Sequence, residues 1–290
     1  MAGNITIRLD TEKYMPPTQD DIKAAKQYVL DREENAVLLS QKIDAILEDA
    51  SERIVTICYK YGIDPKRLHF SARYNMEMMA EISDVMDEAA EEILDLIYEY
   101  SAKATNDDDS RKALIAWMAL LGRGNNNLRD TLYGYLQKTM KDWEAAIAAM
   151  KSAGLTLSEA VIRIKTYLHH IYEMPEVLDA FRKSGEYDAD LIRSRGVTYG
   201  AVGLSNNGST NVTNMAKITL QMAWMKAKFM EIDSDRQTEG VYILRGSAYD
   251  CPVCDSHVGF HTKDSAMRIL PVHPHCKCYC VPIRGIGKED

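Results

Sequence analysis

Five of the six cysteines in this 290-residue chain fall close together, in Cys251-Pro-Val-Cys254 and in His273-Pro-His-Cys276-Lys-Cys278-Tyr-Cys280. Thiolates and imidazoles are the donors that tetrahedral zinc takes, and two donors separated by two residues can grip one ion from a single turn. Pro252 favours such a turn in the first pair. His273 and Cys276 repeat the gap after eighteen residues, giving Cys-x2-Cys-x18-His-x2-Cys. Three thiolates and an imidazole suit Zn²⁺ better than iron. The candidate ligands are Cys251, Cys254, His273, Cys276 and Cys278. Cys278 or His275 can replace a member of the second pair, and Cys280 shares a face with Cys276 and Cys278 if this run is extended.

The chemistry expected of such a site is structural. Four good ligands leave no coordination position for water, and neither the His-Glu-x-x-His nor the deaminase-type pattern accompanies them. Asp250, Asp255 and His257 are near in sequence and are read as outer neighbours or surface groups. The ion would then hold together a lobe too short to build a core alone.

The elements that must position these residues are mostly helical. Ile5, Ile7 and Leu9 alternate with polar residues and suggest a short strand, broken at Pro16-Pro17. Thr18-Gln-Asp-Asp21 reads as a capped helix start, and apolar residues recur at helical spacing from there to about Tyr61. A turn at residues 61–65 leads to a second long helical stretch, about 65–104, with Met76, Met79, Ile82, Met86, Ile93, Leu96 and Ile97 on one side. Both stretches far exceed the mean helix length, which calls for bundle or coiled-coil packing or a break. Residues 106–110 form a solvated connection and a cap. Three shorter helices are expected over 110–183, parted at 122–127 and 152–154; 156–172 is strongly helical, and Pro175 ends or restarts it. The Gly-rich run 195–213 reads as a loop or boundary, 214–230 as a last helix, and 241–244 and 278–283 as strands entering and leaving the cysteine knot.

Other motifs carry less. Gly122-Arg-Gly124 lacks the Gly-Lys-Ser/Thr of a phosphate loop and reads as a turn. His169 and His170 are adjacent and so point to different helix faces. Met76, Met78, Met79 and Met86 read as adaptable core filling, Trp117, Trp143 and Trp224 as core, and Cys58 as a small buried hydrophobe.

Composition is that of a globular protein, with 46% hydrophobic and 27% charged residues. No apolar run reaches membrane-span length, the N-terminus lacks a secretory layout, and clustered cysteines in a reducing compartment favour metal over disulfides. Net charge is −8, concentrated in residues 1–150, where 18 Lys+Arg face 27 Asp+Glu. That acidity argues against nucleic-acid wrapping by this half, since phosphate binding needs a positive surface.

The order Cys-Pro-x-Cys, Asp255, Gly259, then His273-Pro274-His275-Cys276-Lys277-Cys278 and Val281-Pro282 resembles the C-terminal signature of Mu F-like phage head morphogenesis (minor head, or minor capsid) proteins. That family carries His-Pro-x-Cys-Arg-Cys, with Lys277 here in place of Arg, and a helix and strand before the first cysteine, similar to 215–230 and 240–244. Its frequent Arg-Thr-Glu appears only as Lys217-Ile218-Thr219. The resemblance covers about 196–284. It implies a phage or prophage minor capsid component that associates with the portal and other capsid proteins and serves assembly or DNA entry, in the virion or the bacterial host cytoplasm. It implies no catalysis, small-molecule substrate or membrane.

The expected architecture is mainly α: a long-helix region over 1–105, a helical region over 106–195, and a small α+β zinc-binding lobe over 196–290. Two other readings compete. One is a nucleic-acid-binding zinc ribbon using Lys263, Arg268, Lys277, Arg284 and Lys288. The other is a toxin-like or metal-dependent enzyme, for which no nucleophile–base pair can be named.

Overall fold

Pro16 and Pro17 cannot donate to a sheet ladder, so the first strand, β1 (Tyr14–Met15), stops after two residues. The next residues cap a helix reciprocally: the Asp21 amide donates to Thr18 Oγ1 at 3.1 Å, and the Thr18 amide donates to the Asp21 carboxylate at 2.8 Å. From there α1 (Gln19–Tyr61) runs 43 residues, ending at Gly62, whose φ of 76° is the left-handed conformation that stops helices. In this computed structural model the described residues are 9–62, 75–122, 126–184, 207–246 and 249–286. The strand expected at Ile5 and Ile7 lies outside them, as do most of the turn after Tyr61 and much of the Gly-rich run.

The helices α2 (Met76–Ala102), α3 (Asp108–Ala119) and α4 (Leu128–Ser152) follow. Asp107 accepts from the Ser110 amide at 2.7 Å, so the acidic connection caps α3 as its composition suggested. Asn127 caps α4 by accepting from the Asp130 amide at 2.8 Å. Thr156 and Glu159 form a second reciprocal cap at the start of α5 (Leu157–Thr166). The helix expected over 156–172 ends at Thr166: Tyr167 leaves helical geometry, a 3-10 turn spans Ile171–Glu173, and Pro175 opens α6 (Pro175–Ser184), the first-turn place that tolerates proline. The last long helix, α7 (Gly208–Ser234), begins six residues before the expected 214. Its start is fixed from a distant element, since the Asp142 carboxylate accepts from the Gly208 amide at 2.7 Å. No helix among the described residues is long and apolar enough to cross a membrane.

The remaining elements are β2 (Thr238–Leu244), a short helix α8 (Pro252–Asp255), β3 (Gly259–Thr262), α9 (Lys263–Ile269) and β4 (Tyr279–Gly285). They form an antiparallel four-stranded sheet of order β1-β4-β2-β3. The fold is thus mainly helical with a small C-terminal sheet beside the Cys/His cluster.

The chain divides into two compact units that do not follow sequence order. The first comprises Met1–Leu38, Tyr100–Met118 and Ile218–Asp290; the second comprises Leu39–Glu99 and Ala119–Lys217.

In the first unit the central strands β2 and β4 are buried on both faces, and their period of two sorts side chains into two cores. Tyr242, Leu244, Tyr279, Val281 and Ile283 meet Ile22, Ala25 and Val29 of α1. On the opposite face Val241, Ile243 and Cys280 meet Met225, Phe229 and Ile232 of α7, Ala266 of α9 and the ligand cysteines. Trp224 is buried, and its indole donates to the Tyr100 carbonyl at 3.3 Å.

The second unit is helical and apolar inside, with Leu39, Ile43, Leu47 and Ile54 of α1, Ile82, Ile93 and Ile97 of α2, and Trp143 and Ile147 of α4 fully buried. Cys58 is buried there, and desolvation pushes its thiol up to about 12, as suits a small hydrophobe. The α2 stripe is displaced from the expected one. Met76 is 81% exposed and Met79 and Leu96 are half-buried, while Met78, Val85 and Ala89 face inward. Met86 is buried, and Trp117 of the first unit, expected in a core, is half-buried.

Candidate metal centre

Cys251 precedes the single turn of α8, with Pro252 at its first position, so Cys251 and Cys254 flank one helical turn as their spacing required. The Asp255 amide donates to the Cys251 carbonyl at 2.9 Å, closing that turn. The second pair sits on another turn, closed by the Cys276 amide donating to the His273 carbonyl at 3.1 Å. Gly246, after β2, lies so close to the Lys277 carbonyl that a Cβ there would stand 1.8 Å from its oxygen. Only glycine lets the two stretches approach this closely.

The turns bring the donors into two triads, Cys251–Cys254–His273 and Cys254–Cys276–Cys278, with the ligand atoms of each within 4.8 Å of one another. Either could hold a metal ion, and Cys254 belongs to both. Cys251 Sγ lies 3.5 Å and Cys254 Sγ 3.1 Å from His273 Nε2, and Cys254 Sγ lies 3.9 Å from Cys276 Sγ. Tetrahedral zinc with ordinary bond lengths separates two sulfurs by roughly 3.8 Å and a sulfur from a nitrogen by roughly 3.6 Å. The Cys251–His273 and Cys254–Cys276 spacings match those values, while Cys254 stands closer to His273 than a zinc tetrahedron would hold them. His273 Nδ1 donates to the Pro274 carbonyl at 2.8 Å, which fixes the tautomer and aims Nε2 at the thiols.

The environment sorts the thiols. Cys276 is held at about 5, chiefly by the hydrogen bond from the Cys278 thiol and further by the Cys278 backbone amide, which donates to its sulfur at 3.4 Å. Cys251 is lowered by the Cys254 amide, then by the Cys254 side chain and His273. Burial pushes Cys254 up to about 12; proximity to Cys276, then burial, raises Cys278. His273 is raised, first by its bond to the Pro274 carbonyl. Thiols crowded this closely are a set that a multivalent cation would relieve, since binding expels their protons.

Of the alternatives for the last position, Cys280 shares the sheet face of Cys278 but is buried in the apolar core, outside both triads, with its thiol pushed up to about 11 by burial. His275 is also outside them. It takes a positive φ of 61° in the turn, and its amide donates to Gln221 Oε1 at 2.9 Å. Asp255 forms an ion pair with Arg245, the His257 carbonyl faces His261 Nε2 at 3.0 Å, and Asp250 is exposed.

Two residues that the motif does not contain complete the centre. Arg32 of α1, 2% exposed, donates through Nη2 to the Cys276 carbonyl at 2.9 Å, and Gln221 of α7 donates to the same oxygen at 2.8 Å. A lone arginine in an amphipathic helix is ordinary, so only the fold reveals this use. Lys277 lies 3.5 Å from Glu33, and Lys263 donates to the Asp235 carbonyl at 2.9 Å, so two members of the proposed basic patch are engaged within the unit. Lys288 lies outside the described residues.

His169, singled out in the sequence, is in the second unit, 3.0 Å from Asp44, while His170 pairs with Glu173 at 3.8 Å. Compared with protein families, curated proteins and solved structures, the chain matches none.

Proposed function

We propose that this chain is a minor head protein of a phage or prophage, of the Mu F-like kind. In this reading a structural zinc ion fixes a non-catalytic docking lobe that meets the portal and other capsid proteins at the vertex through which DNA enters. The observation that supports it is the gathering of the signature residues into two triads that share Cys254, namely Cys251–Cys254–His273 and Cys254–Cys276–Cys278. Zinc rather than a harder ion follows from the thiolate-rich donor set, and filling all four positions with side chains leaves no site for an activated water. Cys276 is preferred to Cys278 as the fourth ligand because two hydrogen bonds from Cys278 converge on its sulfur. The protein would then act in the virion or the host cytoplasm.

The test is reconstitution with the portal protein that this reading expects to be encoded beside this chain's gene. Co-expression followed by size-exclusion chromatography should give a stable complex, lost on chelation or in Cys254→Ser. A chain that ignores the portal but binds DNA in a salt-dependent way would instead support a zinc ribbon; the absence of head genes around its reading frame would contradict the assignment.

A further inference from the structure

The turn that carries His273 and Cys276 is held from two helices far away in sequence. The Cys276 carbonyl accepts from both Arg32 and Gln221, and Gln221 also receives the His275 amide, so one amide side chain grips backbone groups of two successive residues. Arg32 is anchored in turn by Glu33, whose Oε1 it meets at 2.8 Å through Nη2 and 3.3 Å through Nε. The other oxygen of Glu33 faces Lys277 at 3.5 Å. Arg32 also continues the helical stripe Ile22, Ala25, Val29 that packs on the sheet, at offsets of three, four and three residues. The apolar seat of α1 and the polar grip on the ligand turn are therefore one face of one helix.

A guanidinium this deeply buried is tolerated only while its acceptors stay in place; removing one leaves an uncompensated charge out of water. Were the ligand turn to unravel, the Cys276 carbonyl would leave Arg32, and the start of α1 would lose part of what seats it. By linkage, whatever seats α1 must equally favour the bound metal.

We infer that Arg32 and Gln221 are positioning residues of the metal centre, and that through them metal occupancy and the seating of residues 19–38 on the sheet are one coupled equilibrium. This rests on the metal reading above. Loss of the ion, by chelation or thiol oxidation, then frees the start of α1 while α4 of the second unit is unaffected.

The experiment uses the full chain with Zn²⁺ and a competing chromogenic chelator. Arg32→Met, which keeps the apolar stem, should weaken zinc binding about 10- to 100-fold, the range for outer partners of metal ligands. Arg32→Lys should recover part of that loss because it restores a cationic donor, and Gln221→Ala should fall between wild type and Arg32→Met. In the wild type, chelation should raise hydrogen exchange across 19–38 and leave 128–152 unchanged. Equal zinc affinity in Arg32→Met and wild type would overturn the inference, as would exchange at 19–38 that ignores the metal. If Arg32→Met does not fold, the wild-type exchange experiment decides alone. A wild-type chain that takes up no zinc sinks the metal centre itself, a distinct failure.

Discussion

In the unit that carries the sheet, two short turns, a helix start and a helix end meet around sulfur and imidazole; in the other unit, long helices meet around isoleucine, leucine and tryptophan. The first places four cysteines and a histidine where burial raises one thiol, Cys254, and hydrogen bonds lower another, Cys276. The second buries Ile43, Ile54, Ile93 and Ile147 completely and asks little of its polar groups. An apolar core distributes stability over many contacts; on the proposed zinc reading, the sheet unit adds to its own apolar cores a contribution concentrated in a few bonds that one substitution can abolish.

Cys254→Ser is the largest expected break of that contrast, because Cys254 belongs to both triads. It should abolish metal binding and with it a free energy that in small zinc peptides reaches roughly 10–16 kcal/mol. Residues 218–286 should then become protease-sensitive while helical circular dichroism largely persists; a metal-replete Cys254→Ser protein would refute the ligand assignment. Ile93→Ala should do the reverse, costing about 2–5 kcal/mol in the helical unit through its cavity and leaving metal content unchanged.

A smaller effect concerns Glu144, which is buried in α4 with Oε1 lacking a hydrogen-bond partner among the described residues and is pushed up to about 7 by burial. The folded state thus holds a proton that the unfolded chain releases near its ordinary value of 4.5. Stability from this group is fully present below pH 4.5, declines as pH rises toward 7 and is flat above. Glu144→Gln should match wild type near pH 4.5 and exceed it at pH 8, by on the order of 1 kcal/mol once partial solvent screening is allowed for. Thermal unfolding at the two pH values measures it; equal curves at pH 8 would mean that the carboxylate is solvated. Smallest is the separation of the two late cysteines: Cys276→Ser should weaken Zn²⁺ binding more than Cys278→Ser, and the reverse order in chelator competition would exchange their roles.

Local signals were legible in the sequence, and non-local ones were not. The Thr18–Asp21 cap, the acidic cap before α3 and the metal spacing depend on residues within a few positions of one another, so they could be read directly. The end of α5 at Thr166 could not, because Tyr167 to Tyr172 keep an apolar, helix-compatible pattern that turns instead. Gly208 starts a helix in a stretch of Gly, Asn, Ser and Thr because Asp142, 66 residues earlier, receives its amide. The lobe expected from about 196 borrows its second face from Ile22, Ala25 and Val29, which read simply as the apolar side of a long helix. Arg32 was invisible for the same reason. The motif named the donors that cluster but not the distant residues that hold their turn.

The claim on which most rests is that one ion is bound by Cys251, Cys254, His273 and Cys276. Metal analysis of the purified, reduced chain, coupled to Co²⁺ substitution, tests it most directly. The account predicts one transition-metal ion per chain and a cobalt spectrum of a tetrahedral, thiolate-rich site, both absent in Cys254→Ser. A metal-free chain whose sheet unit nonetheless resists proteolysis would contradict it.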